Sequence, residues 1–142
     1  MEPSGMVHAL ELARQLLLPN GRLLDLHPTG EPPPIEIRMG TEISRVGFLR
    51  ETDDFVEYGL ADAAVARVIR EGLFVIEKSD QYSFDIHADG LEELLSYLAE
   101  EWTDAVIDDD IVKRIESLLS SSETDKEIIL RDRIYIARLR PG

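Results

Sequence analysis

The segment EIILRDRIYIARL, residues 127–139, constrains the fold more than any other stretch of the chain. Ile128, Ile129, Leu130, Ile134, Ile136 and Leu139 make it apolar at both parities, with no glycine or proline inside it. Consecutive strand side chains point to opposite sides, so this pattern predicts a long strand in a sheet covered on both faces. The rest of the chain must supply the strands beside it and the helices above and below it.

Those elements are legible in order. Met6, Leu10, Ala13 and Leu17 share one face of a helix over residues 6–18, which Ala9, Leu12 and Leu16 widen. Pro19-Asn20-Gly21 stops that helix, since Pro cannot continue it and Asn or Gly accepts positive φ. RLLDLH then reads as a short strand, and PTGEPPP as a stiff connector. IEIRM and EISRVGFLR alternate around Gly40-Thr41, which predicts a hairpin or two-strand meander, with Gly47 marking a bulge. A second helix is expected over residues 53–71, capped by Thr52 or Asp53 and stopped by Gly72, with Leu60, Ala64 and Val68 on its apolar face.

Further along, Tyr82, Phe84 and Ile86 alternate with Ser83, Asp85 and His87 as a half-buried strand. Ser79-Asp80 is expected to turn a hairpin between that strand and LFVIE. Asp89 with Glu92 forms an Asp-x-x-Glu cap for a third helix, whose stripe is Leu91, Leu94, Leu95, Leu98 and Trp102. A fourth helix starts in the acidic run 108–110 and buries Ile111, Ile115, Leu118 and Leu119. The predicted class is α+β: a mixed, largely antiparallel sheet of about five strands with about four helices packed on it, in a single domain over residues 1–142.

The 142-residue length suits one domain and buries roughly two-thirds of the unfolded surface, so no staple is required. The chain has no cysteine, which removes disulfides, thiolate catalysis and Cys-based zinc sites and fits a reducing compartment. Its net charge of −14 repels phosphate backbones and anionic lipid, so neither nucleic acid nor membrane is an expected partner. The acidic residues are spread along the chain as solvated faces. No apolar run approaches the roughly 20 residues that span a bilayer. The N-terminal segment opens with Glu2 and carries Glu11 and Arg14 where a signal peptide needs an uninterrupted apolar core, so the expected location is cytoplasmic.

ALELARQLLLPNGRLLDLHP, residues 9–28, resembles the late portion of class I S-adenosylmethionine-dependent methyltransferases. In that family a helix runs into a Pro-Gly-Gly turn and then a strand. Asn20 keeps the turn chemistry, because Asn is the best substitute for Gly in a left-handed position. GLFVIEKSDQYSF and IYIARLR also resemble the antiparallel strands that end such domains. The resemblance implies a C-terminal half of a methyltransferase-like domain, with residues 6–28 as its helix-turn-strand and residues 91–119 as a helical insertion outside the family plan. The family holds its cofactor with a Gly-rich loop and an acidic residue that precede this point, and the chain contains no Gly-x-Gly. The resemblance therefore implies no cofactor-binding residues here. S-adenosylmethionine is expected only if a partner supplies the Gly-rich half. The first strand would lack a neighbour, an edge hazard that a homodimer, a separate N-terminal methyltransferase half, or a rearranged sheet would each relieve.

Two patterns carry candidate chemistry. Asp25-Leu26-His27 and Asp85-Ile86-His87 each put carboxylate and imidazole on one strand face, two residues apart. If the strands met, Asp25, His27, Asp85 and His87, with Asp89, would offer a nitrogen and oxygen metal site. Asp89 has a competing role as helix cap. His27 is also a candidate general base at a strand end, against the plainer reading of a histidine bonded to backbone. Tyr82, Tyr97 and Trp102 could line a pocket, although a helix stripe ending in Trp also suits a core or a dimer interface. No Gly-x-Ser-x-Gly and no P-loop pattern occurs.

Three functions are therefore open. The first is a homodimeric, non-catalytic binding or assembly module of methyltransferase-like type. The second is one subunit of a split S-adenosylmethionine-dependent methyltransferase. The third is a small-molecule or metal-dependent enzyme using the Asp-x-His pairs.

Overall fold

The apolar spacing at the start of the chain folds as helix α1 (Pro3–Leu16), earlier at both ends than the predicted 6–18. The computed structural model describes residues 3–53 and 55–142. The readings placed on Met1, Glu2 and Asp54 lie outside the described residues. Pro19-Asn20-Gly21 closes a turn in which the Gly21 N–H donates to Leu18 O at 2.8 Å. Strand β1 (Leu23–Pro28) follows. β2 (Pro34–Met39) and β3 (Glu42–Phe48) form the predicted hairpin, with Gly40 at φ +59 in its turn. The pairing slips between Ile35↔Gly47 and Glu36↔Arg45, so Val46 is the extra residue of a bulge beside Gly47. The two-residue strand β4 (Arg50–Glu51) precedes helix α2 (Val56–Arg70), and Gly72 at φ +80 provides the stop.

The next element departs from expectation. LFVIEKSDQYSFDIH is not a hairpin: β5 (Phe74–Ala88) runs unbroken through Ser79-Asp80. Neither residue has positive φ, and β5 pairs with the long closing strand, which keeps it extended. Helix α3 (Leu91–Glu101) is capped by Gly90 with no side-chain cap bond. Glu93 rather than Glu92 reaches back, accepting the Asp89 N–H at 2.9 Å. Strand β6 (Ala105–Val106) pairs antiparallel with β4. Helix α4 (Asp109–Leu119) starts in the acidic run as predicted, and β7 (Lys126–Pro141) closes the chain.

The fold is α+β. The main sheet has five strands, in which β7 pairs antiparallel with β1 and with β2, β2 pairs antiparallel with β3, and β5 also pairs with β7. The chain groups into two compact units: Met1–Gly30, Val56–Tyr82 and Arg133–Gly142 form the first, Glu31–Phe55 and Ser83–Asp132 the second.

In the first unit Val7 of α1, Ala64 and Val68 of α2, Phe74 of β5, and Ala137 and Leu139 of β7 form one buried cluster. Along this part of β7, Ala137 and Leu139 are buried while Arg138 and Arg140 are exposed. The expected burial on both faces therefore fails here, because α1 and α2 pack on one face only. In the second unit Ile128, Ile129 and Leu130 are buried in succession, as the apolar run predicts. Ile35, Ile37, Leu94, Leu98, Ile111 and Ile115 are buried in the same unit. Each such side chain contributes about 1.5–3 kcal/mol relative to leaving it exposed. Leu95, expected in the stripe of the third helix, is exposed. Gly47 is required by packing: a Cβ there would lie 2.6 Å from Ile111 Cδ1.

Candidate functional site

Strand β1 alternates, with Leu24 and Leu26 exposed and Leu23, Asp25 and His27 turned inward. His27 is paired in register with Tyr135 of β7, and the two rings lie 5.2 Å apart at a 45° tilt. His27 Nδ1 is 2.7 Å from Asp25 Oδ1, and Nε2 is 2.5 Å from Asp62 Oδ1 on α2. Both nitrogens therefore face carboxylate oxygens. A doubly protonated ring, donating from Nδ1 to Asp25 and from Nε2 to Asp62, satisfies both bonds.

The electrostatics agree. The hydrogen bond to Asp25 raises the His27 pKa above its ordinary 6.5; burial opposes the rise, and Asp62 adds to it. Protonated on both nitrogens, the ring bridges the two carboxylates and offers no lone pair, and loss of one proton would expose one. The side chains of His27 and Asp25 are 13% and 16% exposed, and that of Asp62 is 52% exposed. Asp62 is thus the solvent-facing member of the contact. Asp25 Oδ2 is buried and has no hydrogen-bond partner among the described residues.

Asp85 and His87 stand in the second unit, and each has a polar partner there. Arg131 of β7 donates to Asp85 at 2.7 Å and to Glu36 of β2 at 3.1 Å. His87 Nδ1 lies 3.3 Å from Glu127, which Arg38 also holds at 2.9 Å. Arg38 reaches Asp125 at 3.1 Å as well. Among the described residues no group of three or more acidic or histidine side chains is arranged to hold a metal ion. Asp25 and Asp62 bind opposite edges of the His27 ring and so do not converge on a point. Asp89 contributes its backbone N–H to Glu93.

The aromatic candidates are dispersed by role. Tyr82 is exposed on β5, and Tyr97 is half-buried on α3. Trp102 Nε1 donates to Glu51 at 2.7 Å, and Glu51 is buried. The indole therefore satisfies a buried carboxylate.

Two features escaped the sequence reading. Asp62 carries half of the His27 contact, and the available signal was that it is the lone charge within LADAAVA, residues 60–66. The other is a cavity of ≈ 680 Å³ in the second unit, whose apolar wall includes Phe48, Leu49, Phe55 and Ile111. Arg50 pairs with Asp108 across its rim at 2.9 Å. Phe55 adopts φ +63, a strained conformation for a bulky residue, and its N–H is held by Asp53 at 3.2 Å.

Fold and site together define an α+β protein with an Asp–His–Asp contact in one unit and an ion-pair ladder in the other. No protein-family model, curated protein or solved structure matches the chain. Among the described residues no helix is long and apolar enough to cross a membrane.

Proposed function

We propose that this chain is a homodimeric assembly module of methyltransferase-like type that contributes no cofactor site of its own. The observation that carries the reading is the pair of open strands in the main sheet. Among the described residues β1 and β5 each pair with β7 alone. Both carry apolar side chains into solvent, Leu24 and Leu26 at 61% and 52% exposure on β1 and Ile76 and Tyr82 on β5. An unpaired, apolar strand is a template for a further strand, and a closed two-fold contact satisfies it with one gene product. The helix-turn-strand α1–β1 supports the methyltransferase-like part of the reading, since Pro19-Asn20-Gly21 forms its tight turn at the expected place.

Calorimetric titration of S-adenosylmethionine, with the mass in solution measured on the same sample, tests this function. No heat of binding and a mass of two chains are expected. Micromolar binding by the isolated chain would overturn the claim that it lacks a cofactor site. A monomer at all concentrations would overturn the assembly role.

A further inference from the structure

We infer that two copies of this chain pair through β5, strand against strand and antiparallel, about a two-fold axis at Ser79. The inference rests on the homodimeric reading and assigns its interface. All ten residues from 75 to 84 are exposed, which is unusual for a strand that belongs to a five-stranded sheet. Val75, Ile76, Tyr82 and Phe84 are among them.

The sequence I-E-K-S-D-Q-Y, residues 76–82, is self-complementary about its centre. With Ser79 opposite Ser79 of the second copy, Lys78 faces Asp80, Ile76 faces Tyr82, and Glu77 faces Gln81, each pair occurring twice. Opposite charges and aromatic–aliphatic pairs directly across two strands stabilise the register. Moving the centre to Lys78 sets Ile76 against Asp80; moving it to Asp80 sets Lys78 against Tyr82. Only the Ser79 register pairs charge with charge and apolar with apolar.

Charge also selects a second copy as the occupant. At a net charge of −14 the chain repels itself over most approaches, so self-association needs a locally balanced patch. Glu77 is held within its own chain by Arg22 and Arg138. Lys78 and Asp80 then set the charge at the centre, one of each sign, and the two-fold axis brings each onto its opposite. Pairing also covers the open edge of β5.

The chain has no cysteine, so Ser79→Cys introduces a single thiol. Opposed Cα atoms in antiparallel strands lie about 4.5–5.5 Å apart, within disulfide reach. Mild oxidation is expected to give a covalent dimer with Ser79→Cys and none with Ser117→Cys on α4. Lys78→Asp is expected to weaken the dimer by about tenfold, since two favourable cross-strand pairs become repulsive. Adding Asp80→Lys restores the pairing with signs exchanged and should recover the affinity. A dimer that neither crosslinks at position 79 nor responds to Lys78→Asp overturns the β5 interface and leaves the homodimer standing. If Leu24→Lys with Leu26→Lys separates that dimer instead, β1 carries the contact. A monomeric wild-type chain overturns both readings.

Discussion

Two Asp-x-His pairs stand on strands of the two units, alike in sequence and different in outcome. On β1, Asp25 and His27 bond to each other, and α2 adds Asp62 from above. On β5, Asp85 turns to Arg131 and His87 to Glu127. The difference lies in the neighbours. His27 faces Tyr135 and the carboxylate of an overlying helix. Asp85 and His87 lie beside β7, which presents Arg131 to the one and Glu127 to the other. A short motif supplies the donors and acceptors, and the adjoining strand decides which of them pair. The β1 pair is therefore gathered with Asp62 at one half-enclosed point, whereas the β5 pair is drawn into a ladder.

Each unit has its own buried core, and deletions there should have the largest effects. Ile37→Ala empties a fully buried position in the second unit, and Leu139→Ala does so in the first. Each should cost about 2–5 kcal/mol. β5 and β7 run unbroken through both units, so both variants should shift one common unfolding transition. Urea unfolding followed by circular dichroism and by fluorescence of Trp102, the one tryptophan, measures this. Should Leu139→Ala shift the dichroism and leave the Trp102 transition in place, the units unfold independently.

Periodicity made most of the fold legible. The helical stripes, the Gly40-Thr41 hairpin and the closing strand all stood in the spacing of apolar residues. What misled was local chemistry overridden by pairing. Ser79-Asp80 has turn-forming composition, yet β7 supplies a partner along β5 and holds it extended. Asp89 and Glu92 have cap spacing, yet Gly90 takes the cap position and Glu93 the return bond. At the candidate site Asp25 and His27 were legible because they are two residues apart. Asp62 is 35 residues from His27, and only the packing of α2 over β1 brings it there. The cavity walled by Phe48, Phe55 and Ile111 joins β3, the turn before α2, and α4, which no linear pattern announces.

The second test concerns the concentrated site and gives a moderate effect. His27 has a folded pKa raised above 6.5, first by Asp25 and then by Asp62. A raised cationic group stabilises the fold fully below its unfolded pKa, and the contribution is lost as pH rises through the folded pKa. The wild type should thus lose stability relative to His27→Gln as pH climbs from below 6.5. Asp25→Asn should lower the pKa of the ring, as read from its proton resonances. A stability difference between wild type and His27→Gln that stays constant with pH would mean that His27 does not hold a proton for its two carboxylates.

The ladder should answer with the opposite sign and the smallest amplitude. Arg38 holds the Glu127 carboxyl below its ordinary 4.5, chiefly through their hydrogen bond, and His87 adds to this. A depressed carboxylate contributes stability above its unfolded pKa and loses it as pH falls through the folded value. Arg38→Met should let the Glu127 pKa climb, visible in the carboxyl carbon resonance, while overall stability at neutral pH changes little. The Arg38 pairs are partly exposed and screened by salt, and Arg38 divides its charge between Glu127 and Asp125. The two sites would then weaken the fold at opposite ends of the pH range, His27 on the alkaline side and Glu127 on the acid side. A large loss of stability in Arg38→Met at neutral pH would show instead that the ladder holds the second unit together, and that its Ile core is insufficient without it.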